Sequence, residues 1–255
     1  MDDENEELAK KFYTNLPRRK YEQEVAARKN DIKRKSTGFY IFKWVRKLFP
    51  NRKIDTVIDV GGNYGIFLQM LSEEYTIRRK ICMDIFEPDF KIDGVEYLTG
   101  FAEETLKRLD ANSVDLCLLQ DVIEHVFDPD ELITQIKRVL KPGGYIILST
   151  PNLSSIVNRF SLLFGFMPAC MEVSTKHIFG RPGSSVAGHI RCFTYRALQE
   201  FFLFYGFEIV TMFTYQAYFS GEGPTLAKVA HVVDKLSRVL GKRYSNQIFM
   251  VAKKR

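Results

Sequence analysis

The sequence is poor in cysteine and has no long uninterrupted run of apolar residues. Its four cysteines, Cys82, Cys117, Cys170 and Cys192, lie too far apart to form the close pairs of a metal-binding motif. No apolar run reaches the roughly 18 residues that a membrane-spanning helix needs. The acidic, polar start MDDENEELAKK does not have the apolar centre of a signal peptide. We therefore expect a cytoplasmic protein with reduced thiols.

A strong charge imbalance is also missing. The chain has 37 basic and 31 acidic residues, a net charge of +6, and its basic residues are densest in about the first fifty positions. They are not interleaved with aromatic residues in the strand pattern of an RNA-binding sheet, so we expect no nucleic-acid partner. An apolar content of 45% is enough for a full hydrophobic core.

Strand and helix patterns alternate through the middle of the chain. Predicted strands cover 54–60, 80–85, 95–100, 113–120 and 145–150. Predicted helices cover 64–74, 103–109 and 130–140. The strand runs are almost continuously apolar, which is typical of buried parallel strands. Short links between strand and helix then predict right-handed crossovers and a doubly wound α/β sheet. A helix over 195–205, a strand over 207–213, a helix over 224–240 and a strand over 246–254 follow.

Two segments fall outside this alternation. Residues 38–49, GFYIFKWVRKLF, form a basic amphipathic helix that either packs on its own domain or docks on a membrane surface. Residues 160–173 are apolar and aromatic, and could cover an apolar acceptor or contact a bilayer. We expect four regions: a helical extension at 1–53, a binding core at 54–152, a lid at 153–192 and the rest of the fold at 193–255.

The stretch VIDVGGNYG, residues 57–65, carries the first chemical signal, because a strand runs into glycines that open a helix. A dinucleotide fingerprint needs glycines at three spaced places, and Asn63 and Ile66 occupy two of them here. Asp59 would repel a diphosphate and attract a cation. Asp84 ends the second strand, where an acid can accept both hydroxyls of a ribose. A ribose with a positively charged tail describes S-adenosylmethionine.

With these motifs the sequence resembles the class I S-adenosylmethionine-dependent methyltransferases, in the branch of the ubiquinone-pathway O-methyltransferases. The matching stretches are VIDVGGNYG, CMDIFEP, SVDLCLLQDVIEHVFDP, IKRVLKPGGYIILSTPN and, further on, GHIRCFTYRALQEFFLFYGFEIV at 188–210. The resemblance implies a Rossmann-like, seven-stranded doubly wound sheet with a C-terminal antiparallel strand pair and helices on both faces. It also implies S-adenosylmethionine as cofactor and a small-molecule acceptor, methylated on an oxygen of a lipid-, quinone- or glycan-type compound.

The same resemblance implies which residues contact the cofactor. They are Asp59, Gly61, Gly62, Asn63, Gly65, Asp84, Ile85, Phe101, Ala102 and Gln120. Two of them depart from the usual pattern. Asn63 stands for the middle glycine of the turn, and asparagine tolerates a positive φ better than other side chains. Phe101 stands where the family usually has an aspartate beside adenine, so it must pack or stack there.

The sequence DVIEH directly follows the fourth strand and supplies the candidate catalytic residues. On a helical turn Asp121, Glu124 and His125 would share one face, at the sheet edge where ligands bind. His125 could serve as the base for a hydroxyl acceptor. The resemblance implies that these three residues hold a divalent metal; they could instead be structural or orient the cofactor. We predict a catalytic role for all three and assign no metal site.

Polar residues of the lid are further candidates: His177, His189 and Arg191, of which Arg191 could steer an anionic acceptor. Two other functions remain open. A module that binds the nucleoside without chemistry would explain the altered Asn63 and Phe101. An NAD-dependent oxidoreductase is disfavoured by the glycine spacing. The oligomeric state is left open.

Overall fold

The computed structural model describes residues 20–23, 25–26, 37–174, 176–181, 186–217 and 243–255. The predicted helix over 224–240 and most of the helical stretch predicted for 1–35 lie outside these residues. Within the described part of the chain, no helix is long and apolar enough to cross a bilayer.

A seven-stranded sheet forms the centre of the described structure, as predicted. Its strands are β1 (Lys53–Val60), β2 (Thr76–Asp84), β3 (Glu96–Thr99), β4 (Val114–Gln120), β5 (Leu140–Pro151), β6 (Phe207–Tyr215) and β7 (Gln247–Lys254). The order across the sheet is β3-β2-β1-β4-β5-β7-β6. β1 to β5 pair in parallel, whereas β7 is antiparallel to both β5 and β6. The predicted doubly wound sheet and its antiparallel C-terminal pair are confirmed.

Helices cover both faces of the sheet. They are α1 (Thr37–Leu48), α2 (Ile66–Ser72), α3 (Ala102–Thr105), a 3-10 turn (Leu106–Arg108), α4 (Pro129–Val139), α5 (Ile156–Leu163) and α6 (Tyr195–Phe204). One buried apolar cluster joins α4 and α6 to the sheet through Ile136 and Phe202. The other joins α1 and α2 through Val45 and Leu71. The helices α1, α2, α4 and α6 therefore each bury an apolar stripe against the strands.

The apolar face of α1 packs against its own domain. Ile41, Phe42 and Val45 are buried in the cluster beneath α1 and α2. The basic residues Lys43 and Lys47 are exposed on the opposite side. The centre of the apolar face of the 38–49 segment is therefore covered, whereas the 160–173 segment has large apolar side chains that are mostly exposed, such as Phe160 and Phe164.

The lid contains a helix that the sequence pattern did not predict, α5 at Ile156–Leu163. Ser155 caps it by accepting a hydrogen bond from the Asn158 amide. The buried Asn158 side chain donates to the Asn152 carbonyl over 3.0 Å and accepts from Ala169 over 2.8 Å. The helix is thus anchored at its base by polar contacts, while its apolar side chains lie largely outside the core.

Candidate cofactor and acceptor site

The glycine turn, residues 61–65, joins the end of β1 to α2 and is tied to the neighbouring β2. The amides of Gly61 and Gly62 donate to the Met83 carbonyl over 2.7 and 3.1 Å. Gly61, Asn63 and Gly65 have φ values of +70°, +52° and +73°, so the expectation that Asn63 accommodates a positive φ is confirmed. Because Gly65 has a left-handed conformation, the helix begins at Ile66 and not at the predicted residue 64.

The turn is packed so closely that a side chain on Gly61 or Gly62 would collide with its neighbours. A Cβ on Gly61 would lie 2.3 Å from Val122, and one on Gly62 would lie 2.8 Å from the Asp59 carboxyl group and from the Cys82 sulfur. Asp59 is only 2% exposed. Its carboxyl group therefore lies directly beneath the turn and supports it from within the protein.

Asp84 ends β2 beside this turn and is held by two backbone amides. Oδ2 accepts from the Asn63 amide over 3.0 Å, and Oδ1 accepts from the Phe86 amide over 3.2 Å. An ionised carboxylate is an acceptor only, with several lone-pair positions, and is the type of group that binds ribose hydroxyls at the end of such a strand. The half-buried carboxylate is oriented at the edge where the carboxyl ends of β1, β2 and β4 meet.

The remaining cofactor candidates lie at the same edge. Phe101 is buried and directly precedes α3, Ala102 opens that helix, and Ile85 is half-buried after Asp84. Gln120 ends β4 and is 9% exposed. Its side-chain oxygen is buried, and no described residue donates to it. An ammonium group would satisfy such an acceptor, and S-adenosylmethionine carries one, so this cleft fits that cofactor.

Asp121 does not share a helical face with Glu124 and His125, and this expectation was wrong. Residues 121–125 form a turn, and Asp121 has a φ of +52°, outside the helical region. Its carboxylate accepts from the Ser149 hydroxyl over 3.0 Å and from the Gln247 side chain. These hydrogen bonds connect Asp121 to β5 and β7 at the point where the chain leaves β4.

Glu124 belongs to the same turn, and its side chain is fully buried. One oxygen accepts from the Thr150 hydroxyl over 2.9 Å, and the other has no hydrogen-bond partner among the described residues. Burial and, second, the charge of Asp121 raise the pKa of Glu124 well above its usual value. The neutral acid form is thereby favoured.

The rings of His125 and His189 lie next to each other, with centroids 4.8 Å apart and planes tilted by 48°. Nδ1 of His125 lies 2.9 Å from the Gly188 carbonyl, and Nδ1 of His189 lies 3.0 Å from the Cys170 carbonyl. Carbonyls only accept, so each Nδ1 carries the proton and each Nε2 keeps its lone pair. Burial, followed by the neighbouring His189, lowers the pKa of His125 to about 4. The imidazole of His125 is therefore neutral at pH 7.

The metal triad implied by the sequence resemblance does not converge. The side chain whose ligand atom lies within 4.8 Å of those of Glu124 and His125 is His189, not Asp121. Asp121 is engaged by Ser149 and Gln247 instead. Asp121, Glu124 and His125 therefore do not fit the implied metal together, and the proposed reaction is written without a metal.

Of the other two lid candidates, Arg191 contacts the 121–125 turn and His177 does not belong to the histidine pair. His177 is exposed beside Phe179 and is not part of the histidine pair. Arg191 crosses the 121–125 turn: its amide donates to the Glu124 carbonyl over 3.2 Å and its Nη2 to the Phe127 carbonyl over 2.7 Å. The sequence named His189 only as a lid residue, because its proximity to His125 depends on a contact between residues 64 positions apart.

Residues 33–212 match a family of proteins described as "Methyltransferase domain". The match spans most of the chain, and the chain therefore belongs to this methyltransferase family. Its fold and its glycine turn agree with that assignment.

Three relatives illustrate the sequence similarity. A malonyl-[acyl-carrier protein] O-methyltransferase of Marinomonas sp. is 28% identical over 126 residues, which is 46% of each chain. A ubiquinone biosynthesis O-methyltransferase of Bordetella avium is 28% identical over 136 residues, 50% of this chain and 54% of the relative. An uncharacterized methyltransferase of Mycobacterium bovis is 35% identical over 100 residues, 37% and 38% of the two chains. The matches thus span about half the length of these relatives or less.

Solved structures share the fold at low sequence identity. A SAM-dependent methyltransferase from Archaeoglobus fulgidus superposes with a TM-score of 0.54 and 20% identity, covering 88% of this chain and 97% of that one. A phosphoethanolamine N-methyltransferase from Haemonchus contortus, solved with S-adenosyl-L-methionine, gives 0.53 and 17%, covering 82% and 51%. The [4+2]-cyclase SpnF gives 0.53 and 15%, covering 84% and 80%. The fold alone therefore does not decide the acceptor or the reaction.

Proposed function

We propose that the chain transfers the methyl group of S-adenosylmethionine to a hydroxyl oxygen of an apolar small molecule of the lipid, quinone or glycan-linked type. The observation that carries the choice of oxygen is the neutral imidazole of His125 at the carboxyl edge of β4, with its Nε2 lone pair unprotonated. A hydroxyl must lose a proton during methylation, and a neutral imidazole can take it. Two of the matching relatives are named O-methyltransferases, which supports the same choice.

The cofactor site in this proposal is the edge formed by the glycine turn and Asp84. The Asp84 carboxylate accepts the two ribose hydroxyls, and the Gln120 oxygen accepts from the ammonium group. Asp59 supports the turn from below, and Phe101 packs near the adenine side. Once bound, the cofactor supplies a methyl group on a positively charged sulfur, a carbon activated for displacement.

In the transfer step, the acceptor oxygen forms a bond to the methyl carbon while the carbon–sulfur bond breaks. The electron pair of that bond stays on sulfur, and the hydroxyl proton moves to Nε2 of His125. The Gly188 carbonyl accepts from Nδ1–H and so stabilises the imidazolium that forms. Glu124 lies too deep to contact an acceptor directly and holds the turn that presents His125. The chain's main contribution is alignment of acceptor and base.

The apolar character of the acceptor is supported by the lid. Phe160, Leu163 and Phe164, in α5 and directly after it, are 53%, 73% and 70% exposed. Such a patch of large exposed apolar side chains is typical of an interaction surface. We infer that this part of the 160–173 segment rests on a bilayer surface or covers an acceptor with a long apolar part. Arg159 is exposed and directly precedes Phe160, and its positive charge suits an anionic surface.

The test is methyl transfer from isotopically labelled S-adenosylmethionine to a panel of hydroxylated quinone precursors, lipids, glycans and amines. We expect the label on a hydroxyl oxygen of an apolar compound. His125→Gln should lower kcat by about 10²- to 10⁴-fold, the usual contribution of a general base, with little change in cofactor affinity. The matched control His177→Gln, at an exposed histidine, should behave like the wild type.

Four outcomes would contradict the proposal. Methylation confined to amines would refute the choice of oxygen, and full activity of His125→Gln would refute the base. Tight cofactor binding without turnover on any acceptor would favour the nucleoside-binding module instead. Failure to bind the cofactor at millimolar concentration would remove the enzyme assignment altogether.

A further inference from the structure

A buried carboxylate, Glu172, organises the part of the lid that faces His125. The side chains of Glu172 and Arg181 are only 5% and 8% exposed, and their charged groups are 2.7 Å apart. The same Glu172 oxygen accepts from the Ala187 amide over 3.0 Å. Its other oxygen accepts from the amides of Gly188 and His189 over 3.1 and 3.2 Å. We call Glu172, Arg181 and residues 187–189 the Glu172 clamp.

Three consecutive backbone amides directed at one carboxylate form an anion-binding nest. Burial raises the pKa of Glu172, but the hydrogen bonds from the amides of Ala187 and His189 and the positive charge of Arg181 act against it, and the pKa lies below its usual value. Glu172 is therefore charged at neutral pH. Without the carboxylate, three amides and a guanidinium would lose a shared acceptor in a buried place.

The clamp ends on the base of the proposed reaction. The Gly188 amide is held by Glu172, and the carbonyl of the same residue accepts from Nδ1 of His125 over 2.9 Å. Gly188 has a φ of +82°, which a residue with a side chain rarely adopts. The following amides, of Ile190 and Arg191, donate to the Glu124 carbonyl over 3.0 and 3.2 Å. The segment is thus fixed to the clamp on one side and to the 121–125 turn on the other.

We propose that Glu172 is a positioning residue for His125: by fixing the Gly188 carbonyl, it keeps the proton on Nδ1 and the lone pair on Nε2. This inference rests on the proposed function for its consequence in catalysis. It does not rest on that function for its structural part, since the tautomer of His125 can be observed without an acceptor. Glu172 itself contacts neither His125 nor the cofactor edge through a hydrogen bond described here.

The test compares wild type, Glu172→Gln and Glu172→Asp with Glu208→Gln, a matched control at an exposed glutamate of β6. Glutamine has a single acceptor oxygen, and aspartate keeps the charge but is one methylene too short to reach all three amides. Long-range ¹H–¹⁵N spectra of the imidazoles report the tautomer; the chain has only four histidines to assign. We expect a single Nδ1–H tautomer of His125 in wild type and control, and a mixture in both Glu172 variants.

Kinetics supply the second readout. A base misplaced by about 1 Å can cost roughly 10²-fold, so both Glu172 variants should lose between ten- and a hundredfold in kcat with cofactor affinity within about twofold. If Glu172→Gln does not fold, Glu172→Asp decides. An unchanged His125 spectrum with kcat within twofold of wild type would overturn the proposal. If no acceptor is methylated even by wild type, the proposed function fails, while the spectra still decide the role of Glu172.

Discussion

Replacing Asp84 provides the sharpest test of the cofactor site. The amides of Asn63 and Phe86 orient its two oxygens at the carboxyl edge of the sheet, and we propose that this carboxylate accepts the two ribose hydroxyls. A hydrogen bond to a charged group contributes about 1.5–3 kcal/mol, so the loss of two amounts to at least about 3 kcal/mol. Asp84→Ala should therefore weaken binding of S-adenosylmethionine by about 10²-fold or more. Asp84→Asn, which keeps one acceptor oxygen, should lie between Asp84→Ala and the wild type.

Calorimetric titration with S-adenosylmethionine and with the demethylated product measures this effect. Asp89→Ala is the matched control, since Asp89 is exposed on the loop after the same strand. We expect His125→Ala to bind the cofactor within about threefold of wild type, because the proposed function places His125 on the acceptor side and not in the cofactor site. Thermal melts of each variant separate a lost contact from a collapsed turn. Equal cofactor affinity of Asp84→Ala and wild type, with both folded, would refute the assignment of Asp84 to the ribose.

Three further predictions concern stability, pH and membrane contact. Gly61→Ala should destabilise the fold more than Gly165→Ala in urea unfolding, because both have a positive φ but a side chain fits only at Gly165; equal losses would contradict the close packing. His125 has a pKa of about 4 in the folded protein and about 6.5 in the unfolded chain, so the unfolded chain binds a proton first as the pH falls. The free energy of unfolding should therefore decrease by up to about 3 kcal/mol between about pH 6.5 and about pH 4. In urea unfolding at a series of pH values, His125→Gln should show a smaller decrease. Phe164→Asp should reduce sedimentation with anionic vesicles, whereas Phe204→Asp, at an exposed site outside the lid, should not; equal effects would argue against the lid as the contact.

The sheet and its glycine turn could be predicted because their signals are local. Continuous apolar runs identified the parallel strands, and the order of strand, glycine and acid identified the cleft. Asn63 was correctly expected at a positive φ, since few other side chains tolerate it. Asp84 and Gln120 were placed at one edge because they end β2 and β4, the parallel strands on either side of β1.

What could not be predicted depends on contacts distant in sequence. The helix α5 was not predicted from the segment 151–192, and its apolar residues Phe160 and Leu163 face solvent rather than the core. Asp121 was expected on a helical face, but its bonds to Ser149 and Gln247 favour a left-handed turn. The approach of His189 to His125 is set by the lid, and nothing in the spacing of the two residues reveals it.

The position of β7 between β5 and β6 has a consequence for biosynthesis. β7 is the latest of the described strands to leave the ribosome, yet it pairs with the edge of β5, which is made much earlier. Until then the nascent polypeptide holds β5 with an open, apolar edge that other chains could join. A pause in translation ahead of β7 would therefore favour aggregation, and a chaperone that shields that edge would favour completion of the domain.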